Sequence, residues 1–300
     1  MPSVSSVEQA SSTLAAAHAE GQRIRIGVDL TTDGLTRVLE HDPGDLTCTV
    51  ESGVRLSVLR EALAGAGQRL SLDPPGDPTV GALLARNVSG PLRHRFGAPR
   101  DLVLGVTLVL GDGTIANAGG KVVKNVAGYD LARLVCGSEG RLAFVARASF
   151  RLHPLPKAAR TLLVETSNAA HDVAALLRSQ LQPSALDVLH PGRVAVLFEG
   201  SERAVAAQVA AAHSLVGGAE TDSSAWDDSR SRQATASGVL RFSPGDLAST
   251  LAGLTEALVR PAAGIAYSAT RVASSDTTAA WRPLVDRIAA ELDPRGVLAA

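Results

Sequence analysis

Apolar residues recur first at helical and then at strand spacing. Val4, Val7, Ala10, Leu14 and Ala17 fall on one face of a helix. Residues 23–27 alternate Arg and Ile and predict a short strand. Leu35, Val38 and Leu39 predict a short helix over residues 33–41, with Asp33 as its N-cap and Pro43-Gly44 as its end. Residues 46–52 (LTCTVES) alternate as a strand, and residues 54–66 predict a helix that stops at Gly67. Residues 102–110 form a continuous apolar run of strand length, turned by Asp112-Gly113, a dipeptide that favours tight hairpins. A short helix over 130–136, stopped by Gly137, and a strand over 142–152 complete this half.

His153-Pro154-Leu155-Pro156 then breaks the pattern and sets a domain boundary. Beyond it the chain predicts strands at 161–165, 186–189, 194–199, 239–242 and 265–269. Helices are predicted at 170–181, 204–216 and 246–259, with a loose polar stretch at 220–237. Pro191-Gly192 turns the two middle strands into a hairpin. The expectation is an α+β protein of two domains, 1–156 and 157–300, the second carrying a mostly antiparallel sheet.

Composition narrows the function classes. The chain has 300 residues, 45% of them hydrophobic, with 29 Lys+Arg against 30 Asp+Glu. That supplies a packed core, and the net charge of −1 gives no bulk attraction to nucleic acid or anionic lipid. Cys48 and Cys136 alone cannot complete an all-thiolate zinc site or hold an iron–sulfur cluster, so no metal site is expected. No run approaches the ~18 apolar residues of a membrane span. The first residues, with Glu8 and Glu20 and no compact apolar block, do not read as an export signal, and a cytoplasmic location is expected.

Glycine clusters between Leu72 and Pro156, where side chains suited to catalysis are scarce. One cluster runs LDPPGDPTVGALLARN into Val88-Ser89-Gly90; the other is GGKVVKNVAGYDLARLVCGSEG, residues 119–140. Small residues at such turns let backbone N–H groups approach a ligand and form anion nests. Taken in order, TVGALLARNVSGPLRHRFGAPRDLVLGVTLVLGDGT and GGKVVKNVAGYDLARLVCGSEGRLAFVARASFRLHPLP resemble the PCMH, or vanillyl-alcohol-oxidase-type, FAD-binding domain. Within that superfamily the likeness is greatest to the small FAD-binding subunits of bacterial glycolate oxidases. It covers about residues 29–156, and LDPRGVL at 292–298 is similar to the family's C-terminal tail.

The resemblance implies a PCMH-type fold with an α+β cap, and cofactor contacts from Pro75, Thr79, Val80, Gly81, Asn87, Ser89, Gly90, Gly128, Gly137, Ser138, Gly140 and Val145. It implies FAD held without a covalent bond, since no His or Cys stands in an attachment motif. It further implies hydride transfer from a small 2-hydroxy acid, with electrons leaving through a larger FAD-linked subunit and an iron–sulfur subunit. The catalytic base is not identified. The chain departs from the family in three places. Gly27-Val28-Asp29-Leu30 stands where a glycine-rich pyrophosphate loop is usual, so that first loop reads as absent. Ala82 replaces the second glycine after Thr-Val, and Gly140-Arg141-Leu142-Ala143 replaces a GTLG run. These departures keep open a flavin-free structural subunit; a stand-alone FAD-linked oxidase is the third reading.

Other patterns have plainer explanations. Gly111-Asp112-Gly113-Thr114-Ile115-Ala116 matches GxGxxA, but Asn117-Ala118-Gly119-Gly120 follows where a helix should start, so a hairpin is expected. Arg86, Arg93, His94, Arg95 and Arg100 form either a patch for phosphate or an anionic substrate, or a solvated loop or partner surface. His94, His153 and His190 read as surface histidines, and the two cysteines as buried, inert thiols.

Overall fold

The computed structural model describes residues 3–120, 130–272 and 282–299. Helix α1 (Val7–Glu20) is N-capped by Ser6, whose side chain accepts from the Gln9 N–H, and ends at Gly21 in the left-handed conformation. It buries Val7, Ala10, Leu14 and Ala17, the face that the spacing predicts. Strand β1 (Ile24–Arg25) follows, then β2 (Val38–Asp42), β3 (Thr47–Glu51), helix α2 (Leu56–Ala64) and β4 (Gln68–Arg69). Residues 38–42 are therefore strand, where helical spacing predicted helix. Only Val38 and His41 of β2 are even partly buried, so this edge strand shows no alternation to read.

Helices α3 (Val80–Arg86), α4 (Arg93–Phe96) and α5 (Pro99–Leu102) lead into β5 (Val103–Val109) and β6 (Ile115–Gly119). The β5–β6 turn is a hairpin: Gly113 N–H donates to the Leu110 carbonyl, and Asp112 Oδ1 accepts from the Thr114 N–H. Helix α6 (Leu131–Leu134), β7 (Phe144–Arg151) and β8 (His153–Pro154) close this half. Its main sheet has the order β2-β3-β7-β5-β6, antiparallel throughout, and β4 pairs with β8. Leu56, Leu59, Leu63, Leu83 and Phe150, each 0% exposed, anchor the core between this sheet and α2–α3. Glu51 is fully buried. Burial pushes its carboxyl up, but the backbone N–H and guanidinium of Arg37 outweigh this and hold it below the usual range.

The second half runs β9 (Ala158–Glu165), α7 (Ala169–Arg178), β10 (Ala185–His190), β11 (Arg193–Gly200), α8 (Glu202–Val216) and β12 (Ala219–Thr221). It continues through α9 (Ser224–Ala234), β13 (Gly238–Arg241), α10 (Leu247–Ala252), β14 (Ala257–Arg260) and β15 (Ile265–Ser268). These strands form a seven-stranded antiparallel sheet, β12-β9-β11-β10-β14-β15-β13, over a second core that includes Leu162, Val188, Val196 and Phe198. The helix expected over 246–259 is two elements: α10 stops at Gly253, and residues 257–260 are an all-buried strand. The polar stretch 220–237 contains β12 and α9; α9 buries Ser229 and Gln233 beside Ala225 and Trp226, so it carries no apolar stripe.

Helix α11 (Arg282–Leu292) and β16 (Leu298–Ala299) return to the first half. There β16 pairs in parallel with β1, and Val297 and Leu298 join a cluster with α1. The tail, counted with residues 157–300 from the sequence, packs against the N-terminal helix. Asp293 anchors it, with its carboxylate accepting from the Val297 and Leu298 N–H groups.

Candidate functional site

A cleft of about 620 Å³ opens where three segments converge: the turn after β1, the start of α3, and the stretch from Val135 to Val145. Its volume lies in the range of ligand pockets. Small residues form most of its wall: Gly27, Thr31, Thr32, Gly81, Ala82, Ala85, Ser138, Gly140 and Ala143. Thr79 starts α3, its Oγ1 accepting from the Ala82 N–H. Among the described residues, Arg86, at the other end of α3, is the cation lining the cleft, with Asp33 and Glu139 as exposed anions.

The turn after β1 is closed on itself. Val28, Asp29 and Leu30 direct their N–H groups to the Arg25 carbonyl, Gly27 donates to Leu30, and Arg25 pairs with Asp29 at 2.9 Å. Asp33, expected to cap a helix, instead accepts from Thr31 Oγ1 beside the cleft. The 137–140 segment also engages its own chain, since Gly137 and Glu139 donate to the carbonyls of Leu84 and Ala85. Its N–H groups therefore hold the end of α3, and an open anion nest is not what they form. Gly140, at φ 80°, passes so close to the turn after β1 that an added Cβ would lie 2.8 Å from Ile26 Cβ.

The cleft thus brings together Thr79, Gly81, Ser138, Gly140 and Val145 of the sequence-derived set. Val80 is buried with its N–H on the Val54 carbonyl, and the Gly81 N–H donates to Ser52. Asn87 takes the left-handed C-cap of α3 (φ 48°), its Oδ1 accepting from the Arg100 N–H. Gly137 sits beside Asn87 and outside the cleft wall, while Gly128 lies outside the described residues. Of the departures, Ala82 and Ala143 line the cleft, whereas Arg141 is exposed and reaches back to the Ser138 carbonyl.

A second pocket, about 300 Å³, shares Ala82 and Arg86 with the cleft and extends it to the seam between the two halves. Pro75, Pro78, Val88 and Val239 give it apolar walls, and α9 and β15 contribute Gln233 and Tyr267. The two spaces fit a dinucleotide with a flat aromatic end: a trough walled by small residues with Arg86 at its edge, then an apolar slot. Sequence reasoning missed Thr31, Thr32, Ala85, Gln233 and Tyr267. The first three carry only smallness as a signal, and the last two come from elements whose limits were misread or whose partners are distant in sequence.

Ser89 and Gly90 lie at the seam itself. The Ser89 carbonyl accepts from Gln233 Nε2 (2.9 Å) and Arg260 Nη1 (3.2 Å), and Arg260 Nη2 donates to Gln233 Oε1. Arg260 is 3% exposed and pairs at 3.5 Å with Asp187, which is fully buried and accepts from Ser229 Oγ. A Cβ on Gly90 would lie 1.8 Å from the Asp73 carbonyl oxygen, so only glycine permits that backbone contact.

The remaining candidates separate. Arg93 reaches Ser89 Oγ, His94 is pushed down by burial, and His190 Nε2 lies 3.0 Å from the Leu254 carbonyl. Burial pushes the thiols of Cys48 and Cys136 up to about 12, far from reactive. Among the described residues no three His, Cys, Asp or Glu side chains group to hold a metal ion, and no helix is long and apolar enough to cross a membrane.

Comparison with known proteins follows the same geometry. Residues 10–119 match the family described as FAD binding domain. The chain is 35% identical over 201 residues to the glycolate oxidase subunit GlcE of Escherichia coli (strain K12), covering 65% of this chain and 56% of that protein. It is 36% identical over 168 residues to the glycolate oxidase subunit GlcD of Bacillus subtilis (strain 168), covering 54% of this chain and 36% of that one. The matches therefore span about half or less of these relatives. Among solved structures, an alkyldihydroxyacetonephosphate synthase superposes with a TM-score of 0.73 at 16% identity, covering 99% of this chain and 74% of that one, which establishes the fold.

Proposed function

Because residues 10–119 match the family described as FAD binding domain, we propose that this chain is the FAD-carrying subunit of a 2-hydroxy-acid oxidoreductase of the glycolate-oxidase kind. The observation that carries this reading is the continuity of the cleft and the seam pocket through Ala82 and Arg86. The residues lining these two spaces would hold FAD without a covalent bond, and the bound flavin would supply a hydride acceptor for oxidation of the hydroxy acid to the 2-oxo acid.

The chain's own residues bind and orient. Small walls at Gly81, Ala82, Ala85 and Gly140 admit the dinucleotide close to the backbone, and Arg86 offsets phosphate charge. Pro75, Pro78, Val88 and Val239 exclude water from the seam pocket. Among the described residues, no carboxylate or imidazole lines this pocket. This reading assigns the base for the substrate hydroxyl to a larger flavoprotein subunit, in a complex that also holds an iron–sulfur subunit. We place the domain division near residue 156, between the two sheets, and the complex in the cytoplasm.

The test is anaerobic addition of glycolate to the FAD-loaded chain, alone and mixed with its larger partner. Bleaching of the visible flavin band in this chain only when the partner is present supports the reading. Bleaching of the chain alone assigns it a complete active site and overturns the subunit role.

A further inference from the structure

Apart from the trough and its seam pocket, with which it shares no lining residue, a cavity of about 450 Å³ is lined by residues of both halves. Arg69 on β4 and His153 on β8 are register partners in the small two-stranded sheet, and Phe96 packs on His153 with ring centroids 4.6 Å apart and planes tilted by 54°. The guanidinium carbons of Arg69 and Arg95 lie 5.4 and 5.9 Å from the Phe96 ring centre. Lys157 comes from the segment joining the two halves. From the far wall, Gly200 and Ser201 present the start of α8, a 15-residue helix. We propose that this cavity is a binding site for a phosphate monoester, held by Arg95, Lys157 and the start of α8.

Charge accounting separates this site from an ordinary solvated face. Arg69 is matched by Glu199, also on the cavity, through two parallel contacts of 2.8 and 2.6 Å. That pair is neutral and fixes the floor. Arg95 and Lys157 have no acidic partner among the described residues, leaving two positive charges, which match a phosphate monoester near its dianion. The helix start adds partial positive charge from the same direction. Burial and the neighbouring Arg151, Arg69 and Arg95 push His153 down to about 4, so its ring is neutral at pH 7 and can accept or donate a hydrogen bond. Its Nδ1 and Arg69 Nε are buried without a hydrogen-bond partner. Phe96, Pro154 and Leu155, the last 42% exposed, give an apolar wall for the ester's carbon body, which a bare inorganic anion would leave unused.

The cavity shares no lining residue with the trough, so the proposal does not depend on FAD. A ligand here contacts both halves and must stabilise their docking. The experiment is thermal unfolding of the full chain at pH 7.5 and fixed ionic strength, with and without added FAD. Inorganic phosphate, glycerol phosphate and succinate are titrated against chloride. The expected result is a saturable rise in Tm with phosphate, a tighter response to glycerol phosphate, and a weak one to succinate. Arg95→Gln/Lys157→Gln should weaken the phosphate response about tenfold or more, while Arg178→Gln, at an exposed cation on α7 outside the cavity's lining, leaves it unchanged. Both cations are exposed, so the double variant should fold. A response that survives the double variant, one matched by chloride, or none at all overturns the proposal, whatever FAD does.

Discussion

The trough beside α3 and the seam around Ser89 are built from segments with the same sequence signature, small residues and glycines in turns, yet they use it oppositely. In the trough, Gly81, Ala82, Ala85, Ser138 and Gly140 keep the wall low and leave a space. At the seam, Ser89 and Gly90 fill space: one carbonyl takes two charged or amide donors from the other half, and one missing Cβ lets two backbones touch. A glycine-rich turn signals close approach of a backbone to something. Whether that something is a ligand or the rest of the chain is decided by packing.

The largest effect should come from breaking the seam's ion pair. Arg260→Leu leaves the fully buried Asp187 without its guanidinium, with Ser229 as its remaining hydrogen-bond donor, and should cost about 3–5 kcal/mol by denaturant unfolding. Gly90→Ala comes next. The added carbon overlaps the Asp73 carbonyl, so the contact must open, with a loss of about 3 kcal/mol in the same assay.

Asp73 makes the seam sensitive to pH. Burial pushes its carboxyl up to about 7, against the Leu92 N–H, Arg260 and Arg230, while the unfolded chain titrates near 3.9. Between roughly pH 4 and 7 the folded state holds a proton that the unfolded state has released, so stability falls as pH rises and levels off above 7. Its side chain is 17% exposed, which tempers the effect to about 2 kcal/mol across that window. Asp73→Asn should flatten this slope in unfolding curves taken from pH 4.5 to 8. The smallest effect sharpens the contrast between the two glycine sites. Gly137 has φ 86° but only Asn87 Cβ at 3.6 Å, so Gly137→Ala should cost about 1 kcal/mol, from backbone strain alone.

The parts legible in the sequence were those where periodicity and burial coincide. The stripe of α1, the strands at 47–51, 103–109 and 144–151, and the apolar face of α2 all follow from alternation or helical spacing. The errors have physical causes. Strand β2 lies at a sheet edge and buries almost nothing, so Val38 and Leu39 fell in with a helical pattern. Residues 257–260 are buried on both faces and read as a continuation of α10. Helix α9 was invisible because its inward face carries Ser229 and Gln233, which serve the Asp187–Arg260 network. Of the site, the segments flanking α3 were legible as a resemblance. The contribution of Gln233 and Tyr267 was not, because it exists only once the two sheets are docked.

The central claim, that the trough holds FAD, is tested most directly by flavin content. The chain, an Ala82→Phe variant that blocks the trough where both pockets meet, and Arg95→Gln/Lys157→Gln are purified, incubated with excess FAD, desalted and denatured, and released FAD is quantified per chain. The account predicts near-stoichiometric FAD for the unaltered chain and for the Arg95/Lys157 variant, and almost none for Ala82→Phe. An unaltered chain that stays colourless, or an Ala82→Phe chain that keeps its flavin, would contradict it.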